Sequence, residues 1–177
     1  SAKAGIDKIR INPGNIGDEN RVRKVASLCR QKNIPIRIGV NAGSLEKEIL
    51  KKHASPNAQA LFESAMKERD ALLRCDFDDI VISVKSSDVP TVIEANRLIS
   101  ASCDSPIHLG VTEAGTLKSS LVRSSAALGT LLYDGIGDTI RISITDNVIE
   151  EVNAAKSLLV SMKLWNKGSF TVTSCPT

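Results

Sequence analysis

Apolar positions along this chain change their period in a regular way. Short runs in which Ile or Val alternates with polar residues stand between longer segments whose apolar residues recur at helical spacing. The short runs are Lys8–Asn12, Pro35–Asn41, Asp79–Lys85, Ile107–Glu113 and Asp138–Ser143, with a last one at Phe170–Thr173, and they read as strands. The intervening segments read as helices. After Gly17, residues Val22, Val25, Ala26 and Cys29 form one buried stripe. Ser55-Pro56 predicts an N-cap followed by proline at the first helical position, opening a helix that buries Ala58, Leu61, Phe62, Ala65, Leu72 and Leu73. Asp88 is placed to cap a helix with Val92, Ala95, Leu98 and Ile99 inward. Val122, Ala126, Leu131 and Leu132 mark the next helix, closed by Gly135. The last helix is predicted to bury Val148, Val152, Ala155, Leu158, Leu159 and Met162 and to end at Gly168.

Strand and helix in strict alternation make this an α/β chain of parallel β-α units. The polar strand residues Arg10, Arg37, Lys85, Glu113 and Arg141 recur at intervals of 27, 48, 28 and 28 residues, and the long interval leaves room for an extra short helix at Leu45–Lys52. Five such units in a row suit a TIM barrel, of which a complete example has eight units and about 250 residues. A doubly wound sheet is the alternative, but its glycine-rich nucleotide turns, G-x-G-x-x-G and G-x-x-x-x-G-K, are both absent.

The 177 residues provide for one domain, or one domain and a fragment of another, and 42% hydrophobic with 24% charged residues is ordinary globular composition. Lys+Arg 23 against Asp+Glu 20, with 3% aromatics, supports neither a basic stripe nor a stacking platform, so no nucleic-acid partner is expected. No run approaches the roughly 18 apolar residues of a membrane span, and no signal pattern opens the chain. Cys29, Cys75, Cys103 and Cys175 lie far apart without a C-x-x-C pair, which fits reduced thiols in a cytosol-like compartment. Ser1 opens the chain, and Ser174-Cys175-Pro176-Thr177 follows a strand-like run directly, so both ends are expected to be cuts.

Alternation also sorts the strand side chains by face. Arg10 goes with Asn12, Arg37 with Gly39 and Asn41, Ser83 with Lys85, Val111 with Glu113, and Arg141 with Ser143, while the opposite faces are Ile or Val and belong to the helix layer. Four cations and one carboxylate are thus expected to converge where barrel active sites lie. Unpaired buried charge costs several kcal/mol or more, so an external polyanion is the natural complement, and arginine favours bidentate grips on phosphate. Diphosphate chemistry leads. The plain alternative is that some of these cations pair with Asp or Glu from elsewhere. Lys85 has a second alternative, a Schiff base with a carbonyl substrate, which would make the chain a lyase. A non-catalytic diphosphate-binding module is a third. Gly14-Asn15-Ile16-Gly17 leads into a helix whose N-terminus could hold an anion, or is simply a turn. Glu113 in a semi-buried pocket can act as acid, base or hydroxyl-orienting acceptor, or merely balance the cations. His53 and His108 lack any ligand cluster; His108 is expected on the helix side, away from Glu113. Cys29, Cys75 and Cys103 read as core.

Several strings are long enough to be specific. They are Lys8-Ile9-Arg10-Ile11-Asn12-Pro13-Gly14-Asn15-Ile16-Gly17, Pro35-Ile36-Arg37-Ile38-Gly39-Val40-Asn41-Ala42-Gly43-Ser44 and His108-Leu109-Gly110-Val111-Thr112-Glu113-Ala114-Gly115. With Ser83-Val84-Lys85-Ser86-Ser87-Asp88, Gly135-Ile136-Gly137-Asp138-Thr139-Ile140-Arg141-Ile142-Ser143 and Cys175-Pro176-Thr177, the chain resembles the 4-hydroxy-3-methylbut-2-enyl diphosphate synthase family of non-mevalonate isoprenoid biosynthesis.

The resemblance implies a TIM barrel that binds 2-C-methyl-erythritol 2,4-cyclodiphosphate, followed by a small domain carrying a [4Fe-4S] cluster on three cysteines and a glutamate. It implies an iron–sulfur oxidoreductase supplied with electrons by ferredoxin or flavodoxin, dimeric, and cytoplasmic in a bacterium or plastid-borne in a plastid-bearing organism. Carried over to matching positions, Arg10, Asn12, Arg37, Asn41, Lys85, Arg141 and Ser143 would contact substrate. Glu113 would orient or protonate the reacting hydroxyl, and Cys175 would be the first cluster ligand. Residues 1–168 would be the C-terminal part of the barrel, about five of eight units, and 169–177 the start of a linker to the cluster domain. About three earlier units and the cluster domain are absent from this chain, so alone it is expected to hold no cluster and to be inactive. Asn147 stands where the family often has proline, at a predicted helix start.

Overall fold

The computed structural model describes residues 5–12, 19–113, 115–145 and 147–165. Among the described residues five strands alternate with six α-helices. In chain order they are β1 (Ile9–Ile11), α1 (Glu19–Lys32), β2 (Ile36–Asn41), a 3-10 turn (Ala42–Ser44), α2 (Lys47–His53), α3 (Ala58–Leu73) and β3 (Ile80–Lys85). Then come α4 (Val89–Ser102), β4 (His108–Gly110), α5 (Leu117–Tyr133), β5 (Thr139–Arg141) and α6 (Val148–Ser161). Each described strand lies within its predicted run, and the extra helix in the long interval is α2. The Phe170–Thr173 run, Gly168 and the Gly14–Gly17 turn lie outside the described residues.

Every pairing is parallel and sequential. Arg10 stands beside Arg37, Gly39 beside Ser83 and Asn41 beside Lys85 in the β1–β2–β3 ladder, and Gly110 beside Arg141 in the β4–β5 ladder. The two ladders join through an Ile82–Ile107 bridge, with Ile82 N–H donating to the Pro106 carbonyl at 2.8 Å. The result is an open arc of five β-α units, with no closed barrel among the described residues. Ile36, Ile38, Ile82, Leu109 and Ile142 point outward to Leu61, Leu72, Ile99, Leu128 and Leu131 of the helix layer, and all ten side chains are fully buried. Burying each side chain of this size contributes roughly 1.5–3 kcal/mol, so the helix side of the arc holds the fold together.

Capping residues set several boundaries. Asp88 accepts from Thr91 N–H at 2.9 Å, as its position before α4 predicts. The cap of α3 is Asn57, not Ser55: its Oδ1 accepts from Ala60 N–H at 2.9 Å, and Pro56 therefore precedes the helix instead of opening it. Asn147 caps α6, accepting from Ile149 N–H at 3.0 Å, so the residue that departs from proline supplies a different start signal. Gly135, at φ +77°, closes α5: its N–H donates to Leu132 and Ile136 N–H to Leu131, the paired bonds of a Schellman motif.

Two helices depart from the predicted stripes. In α5, Val122 is 67% exposed and Ala126 is exposed, while Ser120, Ser124, Ala127, Leu128 and Leu131 face the core. Ser120 Oγ donates to the Ser143 carbonyl at 2.7 Å, and this bond turns the serine edge inward. In α6 only Ala154 is buried, with Val148 and Val152 71% and 51% exposed, because the helix stands at the end of the described row and packs chiefly against β5 and α5. It ends at Ser161, where Lys163 takes the left-handed position (φ +59°) of a second Schellman closure, with Leu164 N–H donating to Leu159.

Candidate functional site

The concave face of the arc holds a polar cavity of about 140 Å³. It is lined by Arg10 from β1, Arg37, Gly39 and Asn41 from β2, Ser83 and Lys85 from β3, Thr112 after β4, and Arg141 and Ser143 from β5 and beyond. The register explains the gathering. Alternate residues on each strand face inward, and parallel pairing puts Asn41, Lys85, Gly110 and Arg141 in one row, with Gly39 and Ser83 in the row below.

Six of the sequence-derived positions, Arg10, Arg37, Asn41, Lys85, Arg141 and Ser143, therefore line one cavity. Asn12 is spent otherwise: its Nδ2 donates to Ser44 Oγ at 3.0 Å, tying β1 to the turn after β2. Glu113 does not join the cavity lining. The β4 ladder stops at Gly110, and Glu113 is exposed at φ +52° in the following turn, so Thr112 takes the inward position while Val111 is buried on the helix side. The same break reverses the expectation for His108. It lies on the concave side, where burial and then Lys85, Arg37, Lys8 and Arg141 push its pKa down to about 4, leaving a neutral ring. Its Nδ1 is 2.8 Å from Thr139 Oγ1, and its Nε2 is buried without a hydrogen-bond partner. Cys175 lies outside the described residues.

The cations differ in how they are held. Arg10 Nη2 donates to the Gly39 carbonyl at 3.0 Å and, in the Asn41 amide orientation that satisfies its neighbours, to Asn41 Oδ1 at 3.0 Å. Arg141 meets Glu151 Oε2 of α6 at 3.4 Å, while Glu151 Oε1 accepts from Ile144 N–H at 3.0 Å. Sequence reasoning missed Glu151; an acidic residue in a helix's first turn has an ordinary dipole explanation and nothing else singles it out.

Arg37 and Lys85 have no hydrogen-bond or ion-pair partner among the described residues, and Arg37 Nε is fully buried. Burial, then Arg37, Arg141 and Arg10, lower the Lys85 pKa from 10.5 to about 8, with Glu151 opposing. Burial and the same kind of repulsion lower that of Arg37. Such a site can take up an anion with several oxygens, because each new contact replaces repulsion between cations.

The described residues do not fit an iron–sulfur cluster. No three His, Cys, Asp or Glu side chains gather among them, Cys29 is buried in α1, and Cys103 Sγ faces the Ile99 carbonyl of its own helix at 3.7 Å. No described helix is long and apolar enough to cross a membrane.

Residues 1–156 match the family described as the GcpE TIM-barrel domain. The chain is 53% identical over 175 residues to the 4-hydroxy-3-methylbut-2-en-1-yl diphosphate synthase (flavodoxin) of Fusobacterium nucleatum, covering 99% of this chain and 49% of that protein. It is 52% identical over 177 residues to the synthase of the same name from Caldanaerobacter subterraneus, covering 100% and 50%. An Escherichia coli counterpart is 49% identical over 176 residues, covering 99% and 47%. The chain thus spans about half the length of the curated relatives it matches. Its parallel β-α units, its concave cationic face and the match through residue 156 lead to one assignment: the chain belongs to the GcpE family.

Proposed function

We propose that this chain is the substrate-binding part of a 4-hydroxy-3-methylbut-2-enyl diphosphate synthase, and that its cavity grips the diphosphate of 2-C-methyl-erythritol 2,4-cyclodiphosphate. The observation that carries the reading is the pair Arg37 and Lys85, inside a cavity with Arg10 and Arg141 and without a carboxylate of their own. The names of relatives about half identical to the chain support it from outside.

In this reading Arg10, Arg37, Lys85 and Arg141 neutralise the diphosphate, and Asn41, Thr112 and Ser143 fix its orientation by hydrogen bonds. Asn12 acts through Ser44. Glu113 stands one residue beyond the lining residue Thr112 and reaches the reacting hydroxyl from the rim once substrate fills the cavity. In the complete protein Cys175 would be one ligand of a [4Fe-4S] cluster, which would supply the electrons for reduction. The chain's own residues bind the diphosphate, hold the ring carbons towards the cavity mouth, and supply or orient a proton as the hydroxyl oxygen leaves as water. Residues 1–168 form the barrel part and 169–177 lead towards the cluster domain. The partners are flavodoxin or ferredoxin and a second subunit, and the compartment is cytoplasmic or plastidic.

Thermal unfolding followed through Trp165, with and without the cyclic diphosphate, tests the binding role. A ligand that binds only the folded state raises the midpoint. A cooperative transition indifferent to the ligand would remove the proposed role for this cavity. Borohydride trapping of a carbonyl ligand on Lys85 would instead favour Schiff-base chemistry.

A further inference from the structure

Two glycines lie on the concave face, Gly39 on β2 and Gly110 on β4. Neither has positive φ, so backbone freedom does not explain them. Glycine within a strand weakens it unless something approaches the backbone closely. Here the approaching groups are cations from neighbouring strands. A Cβ on Gly39 would collide with Arg10 Nε and stand 3.0 Å from Arg10 Cζ. A Cβ on Gly110 would meet Lys85 Nζ at 2.9 Å, Lys85 Cε at 3.0 Å and the Arg141 carbonyl oxygen at 3.0 Å. Gly43, exposed just after β2, has nothing within 4 Å.

We propose that Gly39 and Gly110 are positioning residues of the anion site: by lacking a side chain, each yields its strand's inner surface to a neighbour's cation and fixes where that charge lies. This rests on the reading of the cavity as a diphosphate site. Arg10 crosses from β1 over Gly39 and anchors its Nη2 on the Gly39 carbonyl at 3.0 Å. Lys85 crosses from β3 over Gly110 towards Arg141. The two glycines thus set how the positive charges are spaced across the cavity, and with it the spacing of phosphate oxygens that the cavity accepts. An added methyl group would displace the cation without altering its charge.

The test is calorimetric titration of the protein with inorganic pyrophosphate. Gly39→Ala and Gly110→Ala are each expected to weaken binding by about tenfold or more, the scale of one misplaced charge-assisted contact. Gly43→Ala should stay within about twofold. In an Arg10→Ala background, Gly39→Ala should add no further loss, and in a Lys85→Ala background Gly110→Ala likewise; losses that simply add would overturn the proposal. In Gly110→Ala, the titration midpoint of Lys85, read from its side-chain carbon resonance, should move up from about 8. An unchanged midpoint with unchanged affinity would remove Gly110 from the proposal.

Should Gly39→Ala not fold, Arg10→Ala/Gly39→Ala is expected to regain a cooperative transition, and failure there would overturn the role of Gly39. Should Gly110→Ala not fold, Lys85→Ala/Gly110→Ala is expected to recover; if it does not, Gly110 serves the β4–β5 backbone and its half of the proposal falls. A wild-type protein that ignores pyrophosphate would defeat the diphosphate reading itself. Binding by wild type with equally good glycine variants would defeat only this inference.

Discussion

Cations on the two sides of the strand arc live under different rules. On the outer side they stand in water, some of them beside a carboxylate: Arg97 meets Asp134 at 2.6 Å and Lys52 meets Glu63 at 2.7 Å, with the His53 ring 2.7 Å from the same Glu63 oxygen. On the concave side Arg37 and Lys85 have no such partner among the described residues, and Glu151 at 3.4 Å from Arg141 is the carboxylate that reaches this group. The outer pairs are ordinary surface electrostatics, screened by water and worth little to stability. The inner set works against folding, since desolvated like charges raise the energy of the folded state. A charge arrangement that costs stability and recurs across β1, β2, β3 and β5 is what the proposed anionic ligand would offset, and packing alone gives no reason for it.

The largest expected effect breaks that comparison directly. Arg37→Met should cost roughly 1.5–3 kcal/mol of pyrophosphate affinity and at the same time raise the unfolding midpoint. Arg97→Met and Arg30→Ala, both on outer helices, should leave the affinity unchanged. Were Arg37→Met to lower both affinity and stability, the inner cation would have a structural partner and the contrast would fail.

Next in size is a pH effect. Lys85 titrates at about 8 in the folded chain against 10.5 ordinarily. Between those values the unfolded chain keeps a proton that the folded chain has released, so stability should climb with pH over this window. Below pH 8 the full cost stands. Lys85→Met should flatten the climb in a series of denaturant midpoints. His108, lowered to about 4 from 6.5, gives a second window of the same sign, with stability falling as pH drops from 6.5 towards 4. His108→Gln should remove that slope, and a slope that survives would place the titration elsewhere. The smallest effect belongs outside: Asp134→Asn should change stability by less than about 1 kcal/mol and leave pyrophosphate binding alone.

Most of the inner face was legible in the sequence because a strand's period of two is rigid: once Ile36 and Ile38 are assigned to the core, Arg37, Gly39 and Asn41 must face the other way. The reading failed where that period breaks. Counting inward positions from Glu113 requires a strand to the end of its run, whereas the ladder ends at Gly110 and the chain turns at Glu113, so Thr112 and His108 face the concave side instead. Helix phase was harder. In α5 the strongest apolar stripe lost to a row of serines, because Ser120 bonds the Ser143 carbonyl across a close approach that hydropathy does not register. In α6 the stripe is real, but a stripe is buried only where a neighbour stands, and at the end of the described row the helix packs chiefly on α5 and β5. Glu151 was invisible for a similar reason, since its role depends on a strand ten residues earlier returning to meet it.

The unpaired Arg37 guanidinium and Lys85 ammonium of the concave face also have a consequence in time. Charges without nearby carboxylates send their field out through the cavity mouth, and a low-dielectric wall focuses it. Polyanions should therefore be drawn in faster than free diffusion alone would bring them, and added salt should slow their arrival far more than it hastens their departure.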